Sequence, residues 1–99
     1  MNTGYKIVKT GNGYLCGNLQ CTGLTPRESQ ALLLRAQGLS IADCASTMQC
    51  GTSNVQDRII NLFYKLRVDS TLELITKSFE RGILSFNQQH NKPQNQPQN

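Results

Sequence analysis

The sequence predicts an all-α fold: a four-helix bundle with a central helix-turn-helix, preceded by a glycine-rich arm or small hairpin. Three observations carry this. Four stretches beyond residue 24 open with a hydroxyl residue followed three places on by Glu, Asp or Gln, the pattern of a capping box. Apolar residues inside these stretches recur at helical spacing. Glycines at 4, 11, 13, 17 and 23 exclude a long helix from everything before them.

The first helix starts at Thr25-Pro26. Thr25 is an N-cap, Pro26 fills the first helical position where its missing N–H costs nothing, and Glu28 completes the box. The helix runs to Gln37 and Gly38 ends it as a left-handed cap. Ala31, Leu32, Leu34 and Ala36 supply a buried face, and Leu33 is surplus to it. Ser40 with Asp43 opens a second, short helix over 41–48, whose Ala42, Cys44, Ala45 and Met48 suit close packing. Gln49-Cys50-Gly51 forms the turn, with Gly51 supplying its conformational freedom.

The third helix covers about 53–66, with Ser53 and Gln56 as a candidate box and a start as early as Gly51 or Thr52 left open. Val55, Ile59, Leu62, Phe63 and Leu66 form its apolar stripe. Gln56, Arg58, Asn61 and Lys65 fall on its polar side, and Ile60 is unexpectedly placed there too. Ser70 and Glu73 open a fourth helix over about 71–81, ended by Gly82, with Ile83 and Leu84 folding back.

Outside the helices, Tyr5 to Lys9 and Tyr14 to Cys16 are strand-like pieces flanking Gly11-Asn12-Gly13, read as a hairpin or an extended arm. The chain therefore divides into an arm at 1–23, a helical domain at 24–86 and a polar tail at 87–99. The tail's composition predicts disorder, and its His90 is given no metal or catalytic role.

Net charge is +4, but residues 24 to 84 hold seven basic and six acidic side chains, so the excess comes from Lys6 and Lys9 in front and Lys92 behind. No stretch reaches the roughly 20 apolar residues of a membrane span. A signal-peptide pattern is absent, which makes the cytoplasm the expected compartment. The four cysteines include no CxxC pair, so Cys44 and Cys50 are read as core packing rather than metal ligands. No nucleophile–base pair or phosphate-binding glycine loop suggests an enzyme, and no cofactor is expected.

Residues 24 to 84 resemble the DNA-binding domain of LuxR/FixJ-type bacterial transcription regulators. The matching pieces are LTPRE at 24–28, AQGLS at 36–40, Ala45, Val55, NLF at 61–63, KL at 65–66, Val68, Glu73 and RGIL at 81–84. The resemblance implies a four-helix domain that binds DNA through its third helix and dimerises through its fourth, with Leu74, Ile75 and Ser78 as the seam. With only 23 residues in front, the expectation is a free-standing output domain without a sensor. The chain departs from the family pattern at Ala42, where a Lys is common, and at Ser53, Asn54 and Gln56, where basic or hydroxyl groups are usual. Arg58 stands where a His is common and Arg67 where the family has Gly.

The expected function is a small stand-alone transcription regulator that binds double-stranded DNA as a dimer. Gln56 reads adenine, Arg58 reads guanine and Asn61 is a third reader, while Arg27, Ser53, Lys65 and Arg67 hold the backbone. Such a protein recruits or obstructs RNA polymerase. The alternative is a protein-interaction module of the same fold that binds or sequesters another regulator, motivated by the near-neutral body and the apolar Leu33, Ile41, Ala42 and Ile60. Salt-dependent duplex binding discriminates between the two.

Overall fold

In the computed structural model, which describes residues 4–87, the two strand-like pieces form a hairpin, the first of the two readings their spacing allows. Strand β1 (Ile7–Lys9) pairs antiparallel with β2 (Gly13–Cys16), and the Thr10 N–H donates to the Gly13 carbonyl at 2.8 Å to close the turn. The sheet then goes further than a hairpin. A tight Gly17-Asn18 turn leads into β3 (Leu19–Thr22), with Cys16 opposite Leu19. Gly17, at φ +60, takes the first central position of this two-residue turn, a place glycine fills without steric cost. Gly13 is required for a different reason: a Cβ there would lie 2.0 Å from the Cys21 carbonyl oxygen.

Four helices follow: α1 (Pro26–Ala36), α2 (Ile41–Met48), α3 (Thr52–Leu66) and α4 (Thr71–Glu80). The four-helix arrangement after a short strand region is the predicted one. A final strand, β4 (Leu84–Phe86), lies beyond the prediction. Ile83 and Leu84 do fold back, and they continue as a strand on the free edge of β3, giving the sheet order β1-β2-β3-β4. Thr22 N–H donates to the Ile83 carbonyl and Asn87 N–H to that of Asn18, so β4 is held at both ends. Phe86 stacks on Phe79 of α4, ring centroids 5.3 Å apart. The tail beyond Asn87, with His90, lies outside the described residues.

One face of the sheet packs on α1, with Cys16, Leu19, Cys21 and Leu84 buried in the same core as the helices. Helix α1 also touches α2, α3 and α4. It is thus enclosed on nearly all sides, and Ala31, Leu32, Leu33 and Leu34 are each 0 % exposed. Leu33 is therefore not surplus. It is buried because α1 has a sheet over the side that a bundle alone would leave to solvent. The Gln37 amide locks the arrangement by donating to the Cys16 carbonyl at 2.8 Å.

The helix caps follow the sequence at three of four sites. The Thr25–Glu28 box is complete. Ser40 and Ser70 accept from the N–H groups of Asp43 and Glu73, while the Glu73 carboxylate reaches the Asp69 N–H, one residue outside the cap. The Ser53–Gln56 box does not form. Helix α3 begins at Thr52 with Gly51 as an N-cap that has no side chain to offer. Gly51 does not provide the turn's unusual backbone either, since its φ is −79. The left-handed residue is Gln49, at φ 59, which ends α2.

Candidate nucleic-acid interface

Helix α3 owes its placement to one apolar stripe. Val55, Ile59, Leu62 and Leu66 are buried, which turns the opposite side outward. At roughly 100° per residue, Asn54, Arg58, Asn61 and Lys65 then form one flank of the exposed side. Gln56, Ile60, Phe63 and Arg67 form the other. Gln56 and Arg58, two residues apart, point roughly 160° away from each other. The structure thus brings Arg58, Asn61 and Lys65 together and separates Gln56 from them. It adds Asn54, an exposed residue that the sequence reading named only as a departure from the family pattern and not as a contact, although the i, i+4, i+7 spacing of 54, 58 and 61 signals it.

The two flanks differ in chemistry. On the first, Arg58 and Asn54 share a groove of about 180 Å³ with Arg27, Met48 and Cys50. On the second, Ile60, Phe63, Tyr64, Arg67 and Val68 line a shallow depression of about 620 Å³, with Tyr64 80 % exposed and Ile60 47 %.

The start of α3 faces outward with Ser53 exposed. Because Gly51 has no side chain, no side-chain oxygen caps the first amides, although the Asn54 N–H donates to the Gly51 carbonyl at 3.1 Å. Such an end carries partial positive charge and suits an anionic group.

The other expected backbone contacts are placed unequally. Arg27 is exposed, but its guanidinium also donates to Gln30 Oε1 and to the Met48 carbonyl, both at 3.2 Å, so it braces the last turn of α2. Arg67 is exposed at the end of α3, in a left-handed conformation at φ 58. Lys65 lies 2.7 Å from Glu28 Oε1, an ion pair between α3 and α1. Its charge is therefore partly neutralised, an effect invisible in the linear sequence because the partner is 37 residues away.

Glu28 serves both the cap of α1 and Lys65. Burial disfavours its charge, but hydrogen bonds from Lys65 and Thr25, with the Lys65 charge, outweigh this, and its pKa lies below the usual 4.5. A lowered folded pKa means stability present above the ordinary value and lost as pH falls through the folded one. In urea titrations, wild type is expected to exceed Glu28→Gln in stability above pH 4.5, with the gap closing on further acidification. A pH-independent gap would contradict the assignment.

The three residues expected at a seam on α4 are placed unequally. Leu74 and Ser78 are 0 % exposed, and the Ser78 hydroxyl donates to the Leu74 carbonyl at 2.8 Å. Both are consumed by the chain's own core, against α3 and β4. Ile75 is half-buried, and the large exposed apolar group of α4 is Leu72, at 76 %.

Cys44 is buried, as the packing account requires, and burial pushes its thiol up to about 11. Cys50 is half-buried beside Arg58. Among the described residues no three His, Cys, Asp or Glu side chains gather as a metal site, and no helix is long and apolar enough to cross a membrane.

Residues 22–78 match the family model described as bacterial regulatory proteins, luxR family. The chain belongs to this family. Nothing among the curated proteins or the solved structures matches it. The luxR-family match spans the last residue of β3 through most of α4, and so contains the whole helix-turn-helix. It makes the chain a member of a DNA-binding, transcription-related family whose helix-turn-helix domains are non-catalytic. Strands β1 and β2, and β4 at the other end, lie outside the matched residues.

Proposed function

We propose that the protein regulates transcription by placing α3 in the major groove of duplex DNA. The observation that supports this is the polar flank of α3, where Asn54, Arg58 and Asn61 form one stripe on a helix that lies within the family-matched residues. Arg58 suits guanine, and Asn54 and Asn61 have amides that can bond adenine. Gln56 reaches the same groove from the opposite flank. Ser53, the amides at the start of α3 and Arg27 hold phosphate on one side, and Arg67 on the other. Lys65 contributes less than a free lysine, because Glu28 shares its charge.

The test is an anisotropy titration of the full chain against a duplex pool over a range of salt. Affinity should fall steeply with salt and selection should return a preferred site. Undetectable duplex binding at low salt, with a protein partner retained, would sink the proposal. From a promoter site the protein would recruit or obstruct RNA polymerase.

A single small domain buries limited area, so useful affinity calls for a dimer on paired half-sites. The contact would use Leu72 and the open part of Ile75 rather than Leu74 and Ser78. Sedimentation should show concentration-dependent dimers that Leu72→Glu removes. A monomer at every concentration, with and without DNA, rules the contact out.

A second reading draws on the depression formed by Ile60, Phe63, Tyr64 and Val68. Its exposed apolar surface fits a protein-interaction module that binds or sequesters another regulator. On that reading Tyr64→Ala abolishes partner capture, whereas Arg58→Ala does not.

A further inference from the structure

The helical body is poor in available positive charge. Of its seven cations, Arg35 is turned inward to the Leu39 carbonyl and Thr71, Lys65 is paired with Glu28, and Lys77 with Glu80. On the Arg58 flank this leaves Arg58 and Arg27. The structure adds two more from outside the family-matched segment. A groove of about 470 Å³ runs between β1 and the end of α2, lined by Lys6, Lys9, Tyr14, Arg27, Gln30 and Gln49 among others. It shares Arg27 and Met48 with the groove that holds Arg58 and Asn54. No carboxylate lines either one. The result is one open track with four cations: Lys6 and Lys9, then Arg27, then Arg58.

Lys9 is aimed into this track by the sheet register. It sits opposite Tyr14 and on the same side of β1 as Ile7, the side turned to the helices. Its Nζ lies 5.4 Å from the centroid of the Tyr14 ring, and that ring packs partly against the core. Lys6 and Lys9 are exposed, and neither makes an ion pair among the described residues.

We propose that Lys6 and Lys9 form a phosphate-binding extension of the α3 surface. Duplex DNA seated on Arg58 continues across Arg27, and the two lysines hold its backbone outside the bases that α3 reads. The proposal rests on α3 being the DNA-binding helix. A DNA backbone fits the track better than an acidic protein does. Its cations succeed one another along an open path that joins the reading helix, and amides of Gln30, Gln49 and Asn54 are interspersed as neutral donors.

The test compares the full-length chain with Lys6→Gln/Lys9→Gln and with Lys6→Arg/Lys9→Arg. Anisotropy is measured on the selected site and on random duplex, over a range of salt. The Gln pair should weaken binding to both duplexes to a similar extent and leave base preference and melting temperature unchanged. It should also reduce the slope of log K against log salt by about 1.8, or about 0.9 per lost phosphate contact. The Arg pair should keep the wild-type slope. Wild-type binding with an unchanged slope in the Gln pair overturns the lysine track alone. Absence of wild-type duplex binding overturns the role of α3 as well. Lysine-dependent binding to polyglutamate but not to DNA assigns the track to an acidic protein chain and also overturns the proposal.

Discussion

Leu33→Ala is expected to destabilise the protein by about 2–5 kcal/mol, the range for truncating a fully buried leucine. A domain of this size has only about 5–15 kcal/mol in total, so the loss should be evident in the urea midpoint. The reason is position rather than residue type. In a bundle without the sheet, one side of α1 would face water and this leucine would cost little to shorten. Here β2 and β3 cover that side, and Leu33 is packed as completely as Leu32 and Leu34 on either side of it. Leu72→Ala, at a site 76 % exposed, is the control and should change stability by under about 0.5 kcal/mol. Equal small losses at both sites would falsify the placement of the sheet over α1.

Arg58→Ala is expected to weaken binding to the preferred duplex by about 1–3 kcal/mol, roughly 5- to 150-fold. It should also relax the base preference at one position, because a guanidinium that bonds both acceptors of guanine carries sequence information. Helix α3 would survive the change, since its hold on the core comes from Val55, Ile59, Leu62 and Leu66. Lys65→Ala makes a useful contrast. Its ammonium is tied to Glu28, so it should cost stability as well as affinity and should not alter base preference. Unchanged affinity and unchanged preference in Arg58→Ala, with the wild type binding well, would remove Arg58 from the interface. Together with the lysine pair these variants separate three contributions: base reading by Arg58, backbone contact by Lys6 and Lys9, and internal support by Lys65.

Much of the helical body was legible because the signals are local. A threonine and a glutamate three residues apart suffice for the first cap, and the complete Thr25–Glu28 box forms as written. The apolar stripe of α3 likewise sets which side turns inward. The divergence of Gln56 from Arg58 was also contained in their spacing, since residues two positions apart on a helix do not share a face. The Ser53–Gln56 box failed although its pattern is as good as the others. Helix α3 starts two residues earlier than that box requires, at Thr52 with Gly51 as its N-cap, which carries Ser53 past the capping position. Cap motifs indicate that a helix begins nearby and leave its first residue to the turn that precedes it.

The sequence by itself determined the four helices, the place of the turn within the motif and the polar side of α3, and offered the first hairpin as one of two readings. Each depends on contacts within a few residues, where residue type and spacing are sufficient information. Tertiary structure alone decided the fourth strand, the burial of Leu33, the loss of Leu74 and Ser78 to the core, and the pairing of Lys65 with Glu28. Leu84-Ser85-Phe86 is too short to show strand alternation, and it becomes a strand because folding presents it with the open edge of β3. The same return of distant chain brings Lys6 and Lys9 beside Arg27. Separation along the chain carries no record of such meetings. They arise when the sheet closes over α1, which sets which charges are spent inside the fold and which face a partner.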